Sequence, residues 1–318
     1  CDIVNHAFST GEVPAVWSSA YLCSVFKRGD ASLKDKYRGI AVGSTMGKLY
    51  SMILEKRLSA FCEQNGFRAS GQAGFRPGRR TSDHVFVLKH LIDKSRLEKQ
   101  HLFACFVDFR KAYDLVRRDL LMKCLRDIGV HDNMLRAIVV MCWNAPMITK
   151  SGQTAGQPFD STRGVKQGDP LSPLLFGIFF DRIEQWLEEH ASECGVQLGG
   201  RLLRLLLYAD DLALLASSQE ELQQLLDALS AFCSHFDMEM NISKTEVVVF
   251  GHRRFPGSQQ WTFVDSSGAR VPLTRSSEFR YLGCVFHETK GITACMSSLA
   301  AAGSRAMWAL RSRCADHG

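Results

Sequence analysis

No apolar run in this chain approaches the ~20 residues needed to cross a bilayer. Runs such as Leu174 to Phe180 reach only 7 residues, and no signal peptide opens the chain, so no membrane partner is expected. Proline is sparse, with 8 residues in 318, and the 11 cysteines include no Cys-x-x-Cys pair. The usual zinc modules and a disulfide-stapled scaffold are both excluded on that count. Cysteines in apolar settings such as Phe103-Ala104-Cys105-Phe106 read as reduced, buried thiols, which suits an intracellular compartment. Internal repeats and low-complexity tracts are lacking too. A content of 46% hydrophobic residues with a net charge of only +6 excludes a disordered tail. What remains is a globular, core-forming chain of one large domain or two smaller ones. It opens on Cys1 rather than Met, so a fragment of a longer protein is expected.

The charge is unevenly placed. Residues 1–100 carry 16 Lys and Arg against 9 Asp and Glu, whereas the remainder is close to balanced. This suits a region that holds phosphates beside one built around carboxylates, although a solvated charged surface gives the same count.

Apolar periodicity predicts helices over Gly47 to Glu63 and Ser82 to Leu97, separated by a Gly/Arg/Pro loop from Ser70 to Thr81. The first third thus reads as basic and helix-rich. Leu102 to Phe109 reads as a buried strand ending near Asp108, and further helices are expected over Asp119 to Ile128, Pro173 to Glu189 and Glu220 to Phe236. Leu202 to Ala216 has the pattern of a hairpin whose turn carries Asp210 and Asp211, and strands follow over Glu246 to Phe250 and Phe279 to Phe286. Without a regular βα repeat, the chain is expected to be α+β with an antiparallel sheet.

Pairing the strand of Asp108 with that hairpin would bring three carboxylates to one sheet edge. Like charges so close raise one another's pKa or require a cation, and hard oxygen ligands suit Mg²⁺ or Mn²⁺ rather than zinc. Two such ions about 3.5–4 Å apart would activate a hydroxyl and stabilise a leaving oxygen in phosphoryl transfer. An Asp-rich turn without chemistry is the alternative for the pair alone.

Three segments in order weigh against that alternative: Phe106-Val107-Asp108-Phe109-Arg110-Lys111-Ala112-Tyr113-Asp114, then Gly164-Val165-Lys166-Gln167-Gly168-Asp169-Pro170-Leu171-Ser172-Pro173, then Tyr208-Ala209-Asp210-Asp211. Together they resemble the reverse transcriptases of non-LTR (LINE-type) retrotransposons. Tyr37-Arg38-Gly39-Ile40, Gly74-Phe75-Arg76-Pro77-Gly78-Arg79, Asn241-Ile242-Ser243-Lys244-Thr245 and Tyr281-Leu282-Gly283 extend the resemblance over nearly the whole chain.

The resemblance implies a right-hand polymerase fold with helical fingers over residues 1–100, a palm over 101–290 and the start of a truncated thumb over 291–318. Asp108 and Asp210 would hold two catalytic Mg²⁺ ions, for which Mn²⁺ can substitute, with Asp211 in support. Tyr113 would be the steric gate against a ribonucleotide 2′-OH, and core packing is the bland reading of the same residue. Gln167 and Gly168 would meet the incoming nucleotide, and Lys27 and Arg38 would hold its triphosphate. Here Ser24-Val25-Phe26 and Gly39 stand where relatives carry prolines, which puts the rigidity of that loop in question. Phe75, Arg76, Arg79 and Arg80 would meet template, Tyr281 and Gly283 the primer, and Lys244 would protonate pyrophosphate unless it is a solvated edge residue. Pro170 and Pro173 read as turn and helix-start residues, and Asp169 is assigned no role. The partners implied are an RNA template, a DNA primer and dNTPs, with an endonuclease upstream in the full-length element and action in the nucleus. Rival readings are a group II intron-type maturase, an RNA-dependent RNA polymerase, and an inactive relic that binds RNA through its basic third.

Overall fold

The computed structural model describes residues 2–27, 29–33, 36–143, 146–151, 154–257, 260–292, 300–301 and 303–308. Its elements begin with α1 (Asp2–Thr10), α2 (Ala15–Ser18), β1 (Ala20–Phe26), β2 (Tyr37–Gly43), α3 (Thr45–Gln64), α4 (Thr81–Leu97) and β3 (His101–Val107). Next come α5 (Ala112–Leu115), α6 (Arg118–Asp127), α7 (Asp132–Ile138), β4 (Met147–Ser151), β5 (Thr154–Phe159), α8 (Ser172–Phe180) and α9 (Arg182–His190). The remainder is β6 (Val196–Leu198), β7 (Arg201–Leu203), β8 (Leu205–Tyr208), β9 (Asp211–Ala216), α10 (Gln219–Phe236), β10 (Glu246–Gly251), β11 (Thr262–Val264), β12 (Arg270–Pro272), β13 (Thr274–Arg275), β14 (Glu278–Tyr281) and β15 (Cys284–His287). The protein is α+β, and no helix among the described residues is long and apolar enough to cross a membrane.

Two compact units share the chain. The first takes Cys1–Phe75, Arg110–Gln185 and Phe232–Glu239, and the second takes Arg76–Phe109, Trp186–Ala231 and Met240–Gly318. Each is therefore assembled from segments far apart in sequence.

The second unit is built on a five-stranded sheet of order β13-β10-β3-β9-β8, antiparallel except for the β10/β13 pair. The central β3 is buried on both faces, which is why its sequence reads as an unbroken apolar run rather than an alternating one. Period two still sorts its side chains. Leu102, Ala104 and Phe106 join Leu206, Ala213, Leu215, Val248 and Phe250 in a core against Leu88, Leu91 and Ile92 of α4. From the opposite face Phe103 meets Phe255 and Trp261, at ring separations of 5.2 and 6.1 Å.

The first unit holds a four-stranded sheet of order β2-β1-β4-β5, in which β1 pairs antiparallel with β2 and parallel with β4. Helix α3 starts at Ser44, whose side chain accepts the Gly47 N–H at 3.0 Å, and α8 is buried along its length except at Pro173.

Several expectations need correction. The first third is helix-rich as expected, but β1 and β2, which the sequence reading lacked, also lie within it. The single helix expected over Pro173 to Glu189 is two, with Asp181 at the junction, where its carboxylate accepts from Arg68 Nε at 2.5 Å and from the Ala69 N–H at 3.2 Å. The strand expected over Phe279 to Phe286 is the β14/β15 hairpin, reversed at Leu282 and Gly283, whose φ values of 47° and 86° suit a tight primed turn. The hairpin expected over Leu202 to Ala216 is narrower, since β7 is separate and pairs with β6. Lys244 closes a short 3₁₀ turn over Ile242–Lys244 instead of opening a strand. The thumb start expected over Met296 to Gly318 lies mostly outside the described residues, of which 300–301 and 303–308 are helical. Cys62, Cys105, Cys124, Cys142, Cys194 and Cys233 are buried free thiols and Cys23 is half-buried, while Cys1, Cys295 and Cys314 lie outside the described residues.

Candidate active site

The second unit gathers its carboxylates by strand register. β3 and β9 pair through Val107↔Leu212, and Asp108 and Asp211 each stand one step further toward the same sheet end. β8 and β9 pair through Tyr208↔Asp211, so Ala209 and Asp210 form a two-residue turn. Ala209 takes φ 58°, which a primed hairpin turn asks for and Gly adopts at least cost. The turn thereby sets two acidic residues at the edge of an otherwise apolar hairpin.

Asp108 is held from the 3₁₀ turn that precedes β10. Its N–H donates to Thr245 Oγ1 at 3.3 Å, and its carbonyl accepts the Asn241 N–H at 2.7 Å. Its Oδ2 accepts from Asn241 Nδ2 at 2.9 Å and from Lys244 Nζ at 3.4 Å. Asp211 bears a cost of the assembly. Partial burial, followed by the charges of Asp210 and Asp108, pushes its carboxyl up to about 6. Tyr281 is buried against Phe106 with ring centroids 5.3 Å apart, and its hydroxyl lies 3.4 Å from His84 Nδ1. Burial and the nearby Asp211 charge raise its phenol well above the usual range. Gly283 forms the β14/β15 turn with open space around it.

Among the described residues, no three His, Cys, Asp or Glu side chains close into a ready-made metal cage. The crowded, oxygen-only donor set nonetheless fits a hard divalent cation, because Mg²⁺ typically takes one or two carboxylates and completes its shell with water and substrate phosphates. A cation there would offset both the burial and the neighbouring charges that raise Asp211.

The expected nucleotide residues lie in the first unit. Lys27 follows β1, its N–H bonded to the Lys36 carbonyl at 2.9 Å, and Arg38 sits on β2 opposite Val25, both side chains exposed. Tyr113 is half-buried in α5, its ring stacked on Phe176 at 4.4 Å. Its carbonyl accepts the Val165 N–H at 2.9 Å, and the Gln167 carbonyl accepts the Ala41 N–H at 2.6 Å. The loop around Gln167 is thus tied to α5 on one side and to β2 on the other. Gly168 has φ 109°, and a Cβ there would come within 2.5 Å of the Ala41 carbonyl oxygen, so this position needs glycine twice over. Phe75 ends the first segment of this unit with half its surface exposed. Arg76, half-buried, and Arg79 and Arg80, exposed, belong to the second unit and lead into α4.

Sequence reasoning gave no role to two polar residues of the loop around Gln167, the buried Lys166 and the half-buried Asp169. Lys166 donates to the carbonyls of Ser18 and Met141 at 2.7 and 2.8 Å, and burial lowers its pKa. Asp169, left without a role, accepts from Ser51 Oγ and the Leu171 N–H at 2.9 Å each, and burial raises its pKa. No periodicity distinguishes such residues from solvated ones. Asn241 was legible only as part of a motif, although an Asn leading a short turn is a common side-chain donor.

Solved telomerases share this fold. Apo telomerase from Candida tropicalis, truncated from its C-terminal domain, matches with a TM-score of 0.58 over 87% of this chain and 55% of that chain, at 16% identity. Telomerase from Candida albicans in complex with a TWJ fragment of telomeric RNA gives 0.58 over 87% and 46%, at 13% identity. Sequence relatives are retroelement proteins. The retrovirus-related Pol polyprotein from type-1 retrotransposable element R2 of Popillia japonica is 28% identical over 281 residues, which is 87% of this chain and 38% of that protein. The corresponding polyprotein from type-2 element R2DM of Drosophila melanogaster is 27% identical over 296 residues, 90% of this chain and 27% of that protein. The chain spans well under half the length of these relatives. The model of the reverse transcriptase (RNA-dependent DNA polymerase) family, whose members use divalent metal ions, matches residues 25–286, a stretch that contains all three carboxylates. With most of its length matched, the chain belongs to the reverse transcriptase family.

Proposed function

We propose that this chain carries the polymerase centre of a non-LTR retroelement, extending a DNA primer 3′-OH with dNTPs on an RNA template. The observation that carries the reading is the register that draws Asp108, Asp210 and Asp211 to one sheet end, where Asp211 is pushed up to about 6. A cation best accounts for carboxylates crowded together and partly buried in this way. Asp108 and Asp210 would hold two Mg²⁺ ions, with Asp211 in support, and the ions when bound would lower the pKa of the primer hydroxyl and stabilise charge on the leaving pyrophosphate. The chain's own groups would orient the reactants. In this reading Lys27 and Arg38 would neutralise triphosphate oxygens, Gln167 and Gly168 would meet the nucleotide, and Lys244 would lend a proton on the pyrophosphate side. Tyr113, braced by Phe176, would exclude a 2′-OH. Tyr281 and Gly283 support the primer, while Phe75, Arg76, Arg79 and Arg80 take template.

Primer extension on poly-rA/oligo-dT with dTTP and Mg²⁺ or Mn²⁺ tests the reading, comparing the chain with Asp210→Asn. Extension that the substitution abolishes is expected. Extension that survives in Asp210→Asn would overturn the assignment, and salt-dependent RNA binding without any synthesis would favour a relic instead.

A further inference from the structure

We infer that Asn241 is a positioning residue for this centre: its side-chain amide determines which oxygen of Asp108 the protein retains and which it offers to a cation. The inference rests on the reading of Asp108 as a metal ligand.

The backbone fixes where the amide starts. Phe109 and Met240 form an isolated antiparallel bridge, and the Asn241 N–H donates to the Asp108 carbonyl at 2.7 Å, so the two residues are tied before their side chains meet. A second link closes a ring, because the Asp108 N–H donates to Thr245 Oγ1, which itself donates to the Asn241 carbonyl at 3.0 Å. From this anchored position Asn241 Nδ2 reaches Asp108 Oδ2 at 2.9 Å. The other end of the amide, Oδ1, accepts from Ser243 Oγ at 2.9 Å, and the Asp108 carboxylate, which can only accept, assigns the amide its orientation. Every polar group of Asn241 is therefore engaged, and all of them serve this corner of the sheet.

The result is an unequal carboxylate. Oδ2 of Asp108 carries both Asn241 and the Lys244 ammonium, whereas Oδ1 has no protein donor among the described residues. Lys244 is a weak holder, since its contact is 3.4 Å long and its side chain is mostly in water. The Asp108 side chain is itself 38% exposed, so packing alone does not stop it turning about its last bond. A neutral amide suits the post. It holds one oxygen by a hydrogen bond yet leaves the full negative charge available, where a second cation would compete with the metal and a second acid would repel Asp108. Partners of this kind behind a metal-ligating carboxylate typically matter by about 10–100-fold in affinity or activity.

The experiment compares the full chain with Asn241→Ala and Asn241→Asp. Electron paramagnetic resonance reads Mn²⁺ binding without nucleotide or template, and primer extension gives kcat and the KM for dTTP. For Asn241→Ala we expect Mn²⁺ binding at least 10-fold weaker and a kcat lowered by about 10–100-fold at unchanged KM. Asn241→Asp keeps the shape but sets an acceptor against Oδ2, and its kcat is expected to fall at least as far. Wild-type Mn²⁺ affinity in folded Asn241→Ala would overturn the inference, because a merely structural role lowers the melting temperature without touching the affinity of the folded fraction. If Asn241→Ala does not fold, a wild-type kcat in the isosteric Asn241→Asp overturns it. A parent chain that extends no primer counts against the polymerase reading alone, and the Mn²⁺ measurement then decides the role of Asn241 by itself.

Discussion

At Asp211 the fold and the chemistry pull in opposite directions. Its carboxyl is pushed from the ordinary carboxylate range up to about 6 by burial and by Asp210 and Asp108, so the folded chain binds this proton more tightly than the unfolded chain does. Stability therefore falls as pH rises from about 4 to about 6, and above that window the penalty is constant. At about 1.36 kcal/mol per unit the full penalty would be roughly 3 kcal/mol, but the Asp211 side chain also faces water, and screening reduces it to about 1 kcal/mol. Asp211→Asn should then melt a few degrees higher than the parent at pH 7.5 and no higher at pH 4, as read by thermal unfolding across that range without divalent ions. Adding Mg²⁺ at pH 7.5 should stabilise the parent more than the variant. Equal melting temperatures for the two proteins at pH 7.5 would show that neither burial nor the neighbouring charges penalise the Asp211 carboxylate. The same residue shows what a sequence exposes. Asp210 and Asp211 stood out because carboxylates interrupt an apolar hairpin, whereas Lys166 and Asp169 look like surface charges until the loop folds over them.

Among elements, those with strong periodicity were legible to within a residue or two. α3, α4, α6 and α10 each bury one apolar face, and β3 and β10 are β-rich apolar runs. Elements decided by tertiary contact were not. β1 and β2 carry many exposed positions, so they lack the alternation that marks a half-buried strand, and only their mutual pairing and that with β4 makes them a sheet. The break between α8 and α9 has the same origin, since nothing local interrupts Phe179-Phe180-Asp181-Arg182. It falls where Asp181 pairs with Arg68, a residue more than a hundred positions earlier whose side chain is 0% exposed. Such a pair need not add net stability, but leaving one partner alone in the interior costs about 3–5 kcal/mol. Asp181→Ala should accordingly lower the urea midpoint by that equivalent, and the double replacement Arg68→Met with Asp181→Leu should recover most of it. A double variant no better than Asp181→Ala would show that the charge left behind is not what destabilises the chain.

For the molecule as a whole, the basic excess of residues 1–100 is divided between both compact units, because the boundary falls after Phe75. Lys27 and Arg38 lie in the first unit, and Arg76, Arg79 and Arg80 open the second. A count along the sequence could place the charge but not this division, since each unit is assembled from three separate segments. The arginine loop is a well-defined platform. The Arg80 N–H donates to the Asp83 carboxylate at 2.9 Å at the start of α4, while the side chains of Arg79 and Arg80 remain exposed. If these two cations neutralise phosphates of a single strand, each contributes about 0.7 to the slope of log affinity against log salt. The double variant Arg79→Ala/Arg80→Ala should therefore bind RNA more weakly at low salt, with a slope shallower by about 1.4, and the deficit should shrink as salt rises. Fluorescence anisotropy with a labelled homopolymer RNA across a salt series reads both quantities. An unchanged slope would move the template track away from this loop and leave its arginines as solvated surface, whereas the expected change would tie the uneven charge of the sequence to a face of the second unit.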